Sequence, residues 1–533
     1  MSRPAMPPDE ARKRAEAVDP RASVFLSANA GSGKTTILTS RVIRLMLDGA
    51  EPSRILCLTY TKAAAAEMSN RIFATLGRWV RLPDAGLRAQ LAELRPGGVA
   101  AGDLARARAL FARAVETPGG LKIQTIHAFA ERLLHLFPFE ANVPAQFTAM
   151  DDAAGSEMLE DAKRRTIRAA LDAPDDALGR AFFTLADTLA ESAFDELIRA
   201  ALPLLRPMRT GVFGEDAYRG LLAGAFGVEA GDTEEAAAAA LLGEGGFPES
   251  LWPRAESAVA EGGPYAGRAS ETAFLRNIRL CLAAGGAIAR ADALIGLFSK
   301  QDGGWRSQML TKATRGRLPW LAEAVETAAL ALPPLAERLR AVRARDRSCA
   351  LMVVADAVLG RYRGEKRRRA LVDFDDMIDR ALDLLERDNA ASWVLMKLDG
   401  GIDHVLIDEA QDTTPEMWRI ARALTGEFFS GEGARPRTRT VFAVGDEKQS
   451  IYSFQGARPE AFDDSRRRYE SAAAAGAARF HRHALHLSFR TVKDVLSAVD
   501  AVFLDPARHA GLTAVAEPTV HETMRAGEAG FVE

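Results

Sequence analysis

ASVFLSANAGSGKTTILTSRVIRLMLDG, residues 22–49, reads as strand, turn and helix in immediate succession. ASVFLSA (22–28) is a short apolar run of buried-strand type, and a glycine-rich turn ends it. KTTILTSRVIRLMLDG (34–49) places Ile37, Val42, Leu45 and Met46 near helical spacing, with Gly49 as a stop. Between them stand Ala28, Asn29, Ala30, Gly31, Ser32, Gly33, Lys34, Thr35 and Thr36. Glycines let backbone N–H groups turn inward around phosphate oxygens, and the start of the following helix adds positive potential. Lys34 is placed to reach the β- and γ-phosphates of a nucleotide and Thr35 to ligate Mg²⁺. The strict phosphate-loop pattern has glycine where Ala28 stands, so the match is partial. RILCLTY (54–60) is a second strand and a second helix begins near Lys62. This alternation predicts an α/β layer, a parallel sheet covered by helices.

Further along, HVLIDEA (404–410) and TVFAVGD (440–446) are apolar strands ending in acidic residues. Val405-Leu406-Ile407-Asp408-Glu409 delivers two carboxylates to the carboxyl edge of a sheet, where open α/β sheets bind ligands. Asp408 would hold Mg²⁺, directly or through water, and Glu409 would polarise the water that attacks the γ-phosphate. After the strand ending at Gly445, Gln449 falls near the phosphates, within reach of the γ-phosphate or the attacking water. Tyr452 and Phe454 follow it, as base-stacking surfaces or as ordinary core aromatics.

Between about 150 and 365 strand signals nearly vanish, and Ala, Leu, Arg and Glu dominate. GSEMLEDAKRRTIRAALDA (155–173) puts Met158, Leu159, Ala162, Ile167, Ala170 and Leu171 on one helical face. RYRGEKRRRA (361–370) reads as a solvated helix face. The chain has 533 residues with 48% hydrophobic and 26% charged, which excludes fibrous and mostly disordered classes. The formal net charge is -3, so any nucleic-acid site is a local patch. Cys57, Cys281 and Cys349 form no CxxC pair, which argues against a disulfide framework or a cysteine-rich zinc site and suits a reducing compartment. With no apolar run of membrane-spanning length and a polar N-terminus, a cytoplasmic location and no membrane partner are expected.

The motifs together resemble those of the superfamily 1 helicases of the UvrD/Rep type. GSGKT resembles motif I, LIDEAQDT motif II and VGDEKQSIYSFQGA motif III. LTYTKAAAAEM (58–68) is similar to motif Ia, TIHAF (125–129) to the DNA-contact motif that follows, and LSFRT (487–491) to motif IV. VDFDDM (372–377) is similar to the segment before motif II, and the nearest likeness within the family is to AddA-type subunits of AddAB helicase–nucleases. The resemblance covers roughly 20–140 and 370–533.

This resemblance implies a P-loop NTPase (RecA-like) motor domain with a large all-α insertion and the start of a second RecA-like domain. The expected boundaries are 1–150 and 369–478 for the first motor domain, 151–368 for the insertion and 479–533 for the second motor domain. ATP and Mg²⁺ are the implied cofactors, and Arg490 becomes the arginine facing the γ-phosphate. Thr59, Tyr60, Lys62, His127, Phe129, Tyr452 and Phe454 become candidate single-strand contacts. The implied activity is ATP-dependent 3′-to-5′ DNA translocation and unwinding in double-strand break repair and recombination. The implied partners are single-stranded and duplex DNA and an AddB-like subunit in a heterodimer. The alternatives are a stand-alone UvrD/Rep-type repair helicase and a DNA-binding ATPase switch that does not translocate. The family's adenine-reading glutamine has no counterpart here: no Gln precedes Gln90, and Arg14 lies about where it is expected. Nothing resembles motifs V and VI or a C-terminal nuclease, so the sequence reads as the N-terminal part of a longer protein, cut off early in the second motor domain.

Overall fold

In chain order the strands are β1 (Ala22–Ala28), β2 (Ile55–Thr59), β3 (Lys122–Thr125), β4 (Thr148–Ala149), β5 (Leu371–Val372), β6 (His404–Ile407), β7 (Thr440–Gly445), β8 (Arg479–Leu485), β9 (Leu487–Ser488) and β10 (Glu522–Thr523). The first helices are α1 (Pro8–Ala17), α2 (Lys34–Leu47), α3 (Lys62–Arg81), α4 (Asp84–Leu94), α5 (Ala101–Val115) and α6 (Ile126–Leu136). These come from a computed structural model that describes residues 6–95, 97–205, 215–261, 269–300, 304–306, 309–386, 388–399, 401–429, 438–453, 456–505, 508 and 521–531.

Six strands form one sheet in the order β3-β2-β6-β7-β1-β8, and every pair in it is parallel. Parallel strands are covered on both faces, which is why they read as continuous apolar runs. Alternate residues divide between two cores. Phe25, Leu56, Leu58, Val405, Ile407, Val441 and Ala443 enter one, with α6 and the helices Phe374–Glu386 and Pro415–Thr425. Val24, Leu26, Cys57, Leu406, Phe442, Val444 and Leu485 enter the other, with α2, α3, α4 and α5. The chain reaches β2 from β1 by passing β7 and β6, so the carboxyl ends of β1, β6 and β7 open on the side where such sheets bind ligands.

The fully buried Arg41 of α2 fastens the entrance to β1. It donates to the carbonyls of Ala17 and Asp19 at 2.9 Å, to that of Ala22 at 2.5 Å and to Thr440 Oγ1 at 3.2 Å. A buried charge is tolerated only when its donors are satisfied, and three of these four acceptors are carbonyls of the turn before β1 and its first residue.

One boundary differs from expectation. The sequence places the start of a new domain at residue 479, yet β8 lies beside β1 along its whole length, from Ala22↔Arg479 to Ala28↔Leu485. It is the edge strand of the first sheet. Only after it does separate pairing begin, between β9 and β10. The reason is packing: Phe480 packs against one core and Leu485 enters the other, so β8 completes both.

Two compact units result, Met1–Asp151 with Ala370–Glu533, and Asp152–Arg369. In the first, β4 and β5 pair next to the points where the chain leaves and returns. The second is helical. Its spine is the 50-residue helix Pro319–Arg368, which contributes Leu321, Val325, Leu332 and Leu339 to one core and Val354, Ala355 and Val358 to another. In the helix Asp152–Asp172 the buried stripe is Met158, Ala162, Thr166 and Ala170, whereas Leu171 is 55% exposed. An i, i+4 row wins there, and Leu171 stands one residue off it. The basic run near 361–370 is only partly solvated: Arg367, Arg368 and Arg369 are exposed, but Lys366 is buried with its ammonium 4.5 Å from the Tyr362 ring centroid. Cys57, Cys281 and Cys349 are all buried as free thiols, and no described helix is long and apolar enough to cross a membrane.

Candidate nucleotide site and its surroundings

The turn after β1 is shaped by two left-handed glycines, Gly31 at φ 74° and Gly33 at φ 85°. A Cβ on Gly31 would stand 2.8 Å from both Arg490 Cβ and Ser488 Oγ, so even alanine is excluded there on two counts. The loop is held from inside by Ser32 N donating to the Asn29 carbonyl at 3.1 Å, and from outside by Phe489 N donating to the Gly31 carbonyl at 2.8 Å. Arg14 of α1 donates to the Ser32 carbonyl at 2.5 Å, and its guanidinium lies 4.7 Å from the Phe489 ring centroid. Ala28 belongs to β1, not to the turn. It is buried and extended beside Leu485, so the departure from glycine costs nothing in backbone conformation.

α2 begins at Lys34 with Gly33 as N-cap, without a capping side chain and without an acid in its first turn. Its first N–H groups are therefore presented to an anion. Asn29 Nδ2 and Ser32 Oγ are buried in the same loop without a hydrogen-bond partner among the described residues. Both features suit a phosphate chain.

β6 brings the carboxylates. Asp408 N donates to the Leu58 carbonyl at 2.9 Å, which continues the sheet and leaves the residue only 6% exposed. Burial, and next the neighbouring Glu409, push the Asp408 carboxyl up to about 6. Glu409 adopts φ 48°, ψ 49°, a left-handed conformation costly for a residue with a side chain and common where function requires a side chain aimed off the regular path. Its Oε2 lies 3.4 Å from Lys34 Nζ and accepts from Gln411 Nε2 at 2.9 Å. Gln411 also donates to Asp412 Oδ2 at 3.0 Å and accepts from Asp446 N at 2.9 Å, so one buried amide joins the ends of β6 and β7. Gln449 is steadied by donating to Asp446 Oδ2 at 2.7 Å.

Lys34, Thr35, Glu409, Gln449 and Arg490 line one cavity of about 520 Å³, together with Ala30, Gly31, Gly33, Thr36 and Phe489. The site residues expected from the glycine loop, the acidic pair and the later motifs are thus brought together, with Asp408 buried behind Glu409. Sequence reasoning missed two contributors. Gln411 stands in plain view inside the acidic motif, and its role follows from a buried amide in a polar cluster. Arg71, which also lines the cavity, sits midway along α3 with no local signal.

An acid whose folded pKa is raised gains stability by staying protonated. Asp408 therefore stabilises the fold below its unfolded value of about 3.8, and this contribution is lost as pH rises through about 6. At pH 7.5, without nucleotide, Asp408→Asn is expected to stabilise the protein by on the order of 1–3 kcal/mol. Melting temperature against pH checks this. The advantage of the variant shrinks as pH falls through about 6; a constant advantage, or none, contradicts it.

The candidate single-strand contacts divide. Tyr60 and Tyr452 are half-buried neighbours with ring centroids 4.5 Å apart, joining the residue after β2 to the segment after Gln449. Lys62 is exposed at the first position of α3, and His127 meets Phe374 edge to face at 5.4 Å. Thr59 is buried and donates to the Thr61 carbonyl at 3.0 Å, so its hydroxyl shapes the turn into α3 and does not face solvent. Phe129 is only 6% exposed and packs in the core among the residues of α6 and its neighbours. It is a packing residue, contrary to expectation, because Ile126, Phe129, Ala130 and Leu133 make one apolar helical stripe. Phe129→Ala is expected to destabilise the fold by about 3–5 kcal/mol, read by chemical denaturation, with no change in DNA affinity per folded molecule. Phe454 lies outside the described residues.

Comparison with known proteins agrees with this arrangement. The family model for the UvrD/REP helicase N-terminal domain matches residues 9–470. The chain is similar to proteins named as the AddA subunits of ATP-dependent helicase/nucleases. The identity is 24% over 536 residues with that of Lactobacillus helveticus, covering 93% of this chain and 40% of the relative. With that of Desulforudis audaxviator it is 29% over 519 residues, covering 90% and 38%. With that of Pelotomaculum thermopropionicum it is 28% over 528 residues, covering 92% and 38%. The chain thus spans about two fifths of the length of the curated relatives it matches.

Proposed function

This chain belongs to the UvrD/REP helicase family, and from that premise we propose that it is the nucleotide-hydrolysing part of an ATP-dependent 3′-to-5′ DNA helicase of the AddA kind. The assignment includes a RecA-like motor layer built on the six-stranded sheet, a helical insertion at 152–369, and the beginning of a second motor layer at β9. Double-strand break repair in the cytoplasm, with an AddB-like partner, is the setting that the similarity to helicase/nucleases supports. The observation that carries the reading is the gathering of Lys34, Thr35, Glu409, Gln449 and Arg490 around one cavity at the carboxyl ends of the strands.

The chemistry derives from those groups. The loop amides and Lys34 bind the β- and γ-phosphates of ATP. Thr35 and Asp408 would hold Mg²⁺, whose charge offsets that of the phosphates. Glu409, oriented by Gln411, accepts a proton from the attacking water. Gln449 positions that water or the γ-phosphate. Arg490 meets charge that develops on the transferred phosphoryl group, in a site already ordered around the glycine loop. Lys34 must leave Glu409 as phosphate arrives, so nucleotide binding itself frees the base.

Gln449 and Tyr452 are three residues apart on one segment, and Tyr452 touches Tyr60. A change at the γ-phosphate therefore reaches an aromatic pair through a short covalent path. ATPase measured with and without single-stranded DNA tests the reading: the strand is expected to stimulate turnover. Tyr452→Ala and Tyr60→Ala are each expected to weaken strand binding by about 1–3 kcal/mol while nucleotide affinity without DNA stays the same. ATPase that is indifferent to DNA would overturn the coupling.

A further inference from the structure

Away from the nucleotide cavity, β8 carries a histidine pair that the mechanism does not use. His481 and His483 alternate with Phe480, Arg482 and Ala484, so both lie on the face of the sheet shared with Leu485 and α1. Their rings are nearly parallel, with centroids 5.6 Å apart and an interplanar angle of 16°. Glu16, in the last turn of α1, faces them. Among the described residues, Glu16, His481 and His483 form a group whose ligating atoms all lie within 4.8 Å of one another.

His483 gives this cluster its direction. Its side chain is 10% exposed, and Nε2 stands 2.9 Å from Glu16 Oε2. Yet Nε2 is buried without a well-formed hydrogen bond to that carboxylate or to any described group. A buried ring nitrogen without a partner is costly unless something else occupies its lone pair. The carboxylate is already oriented: Arg12 donates to Glu16 Oε1 at 3.2 Å, which leaves Oε2 turned to the imidazoles. The nearby cations are largely compensated, since Asp9 pairs with Arg12 at 2.6 Å and with Lys13 at 2.9 Å.

We propose that His481, His483 and Glu16 form a binding site for a borderline divalent transition ion, Zn²⁺ above all, that clips α1 to β8. Two imidazoles and one carboxylate are a donor set suited to zinc, with a fourth position left to water. Tetrahedral zinc with bonds of about 2.0–2.2 Å draws its donors to about 3.3 Å apart, which side-chain rotation alone can supply from the observed spacing. The clip has a structural logic. α1 also carries Arg14, which holds the Ser32 carbonyl, and β8 leads directly into the segment that holds the Gly31 carbonyl. The metal thus fastens together the two elements that brace the glycine loop from outside.

The test uses the full chain treated with chelator and then titrated with ZnCl₂, with Mg²⁺ in large excess to saturate the oxygen ligands of the nucleotide site. One saturable equivalent is expected by calorimetry, with a rise in melting temperature as Zn²⁺ is added. Co²⁺ is expected to give the visible absorption of a tetrahedral N/O site. His481→Gln and His483→Gln are each expected to weaken Zn²⁺ binding by about tenfold or more and to abolish the thermal shift. Glu16→Gln, on an accessible helix turn, serves if either histidine variant fails to fold, and is expected to weaken binding likewise. Asp408→Asn is expected to bind Zn²⁺ as the unaltered chain does. Absence of saturable binding, or an affinity indifferent to the histidine and Glu16 substitutions, or one lost in Asp408→Asn, overturns the proposal.

Discussion

Lys34→Ala is expected to lower ATP turnover by on the order of 10³-fold or more while circular dichroism and melting temperature stay close to those of the parent. The lysine is the cation at the start of α2 that faces the bound phosphates, and no solvent group can replace a fixed charge in that cavity. Its described side-chain partner is Glu409, at 3.4 Å. The glycine loop is held by backbone bonds, by Arg14 and by the 487–490 segment, none of which involves the lysine. The fold therefore survives while the site loses its clamp. A variant that turns over ATP at the parental rate removes Lys34 from the site.

Glu409→Gln is expected to reduce turnover by about 10²- to 10⁴-fold with Mg·ATP still bound. The substitution preserves size and the left-handed backbone, and an amide oxygen still accepts from Gln411 Nε2. Only proton acceptance is lost. Affinity should hold or improve, because the ion pair that Lys34 must break on binding phosphate disappears. Equilibrium binding of a fluorescent ATP analogue, set beside single-turnover hydrolysis, separates the two effects. Loss of binding with loss of turnover would show that Glu409 acts as a metal or structural group.

Much of this site is legible in the sequence because it is local. The strand, glycine turn and helix of 22–47 are fixed by neighbours in sequence, and the hydrogen bonds that shape the turn run within it or to one adjacent segment. Asp408 and Glu409 are legible for the same reason, at the end of a four-residue buried strand. What is not legible depends on distant pairing. Arg479–Leu485 is rich in His and Arg, follows an alanine run, and joins the first sheet only because β1 offers it an edge. Arg71 reaches the cavity from the middle of α3, which no local pattern announces. Phe129 is drawn toward a DNA role by its neighbourhood to a motif, although its own helical period points inward.

The three buried thiols have a practical consequence. Burial pushes the Cys57 thiol well above its ordinary value, pushes Cys281 up to about 12 and raises Cys349 as well. Maleimides and iodoacetamides react with thiolate, which these groups scarcely form at neutral pH and shield from reagent when they do. The native chain is thus chemically silent toward such labels. A fluorophore attached at a single introduced cysteine, for instance at exposed Glu93 on α4, would report from that point alone, without any native residue having to be removed first.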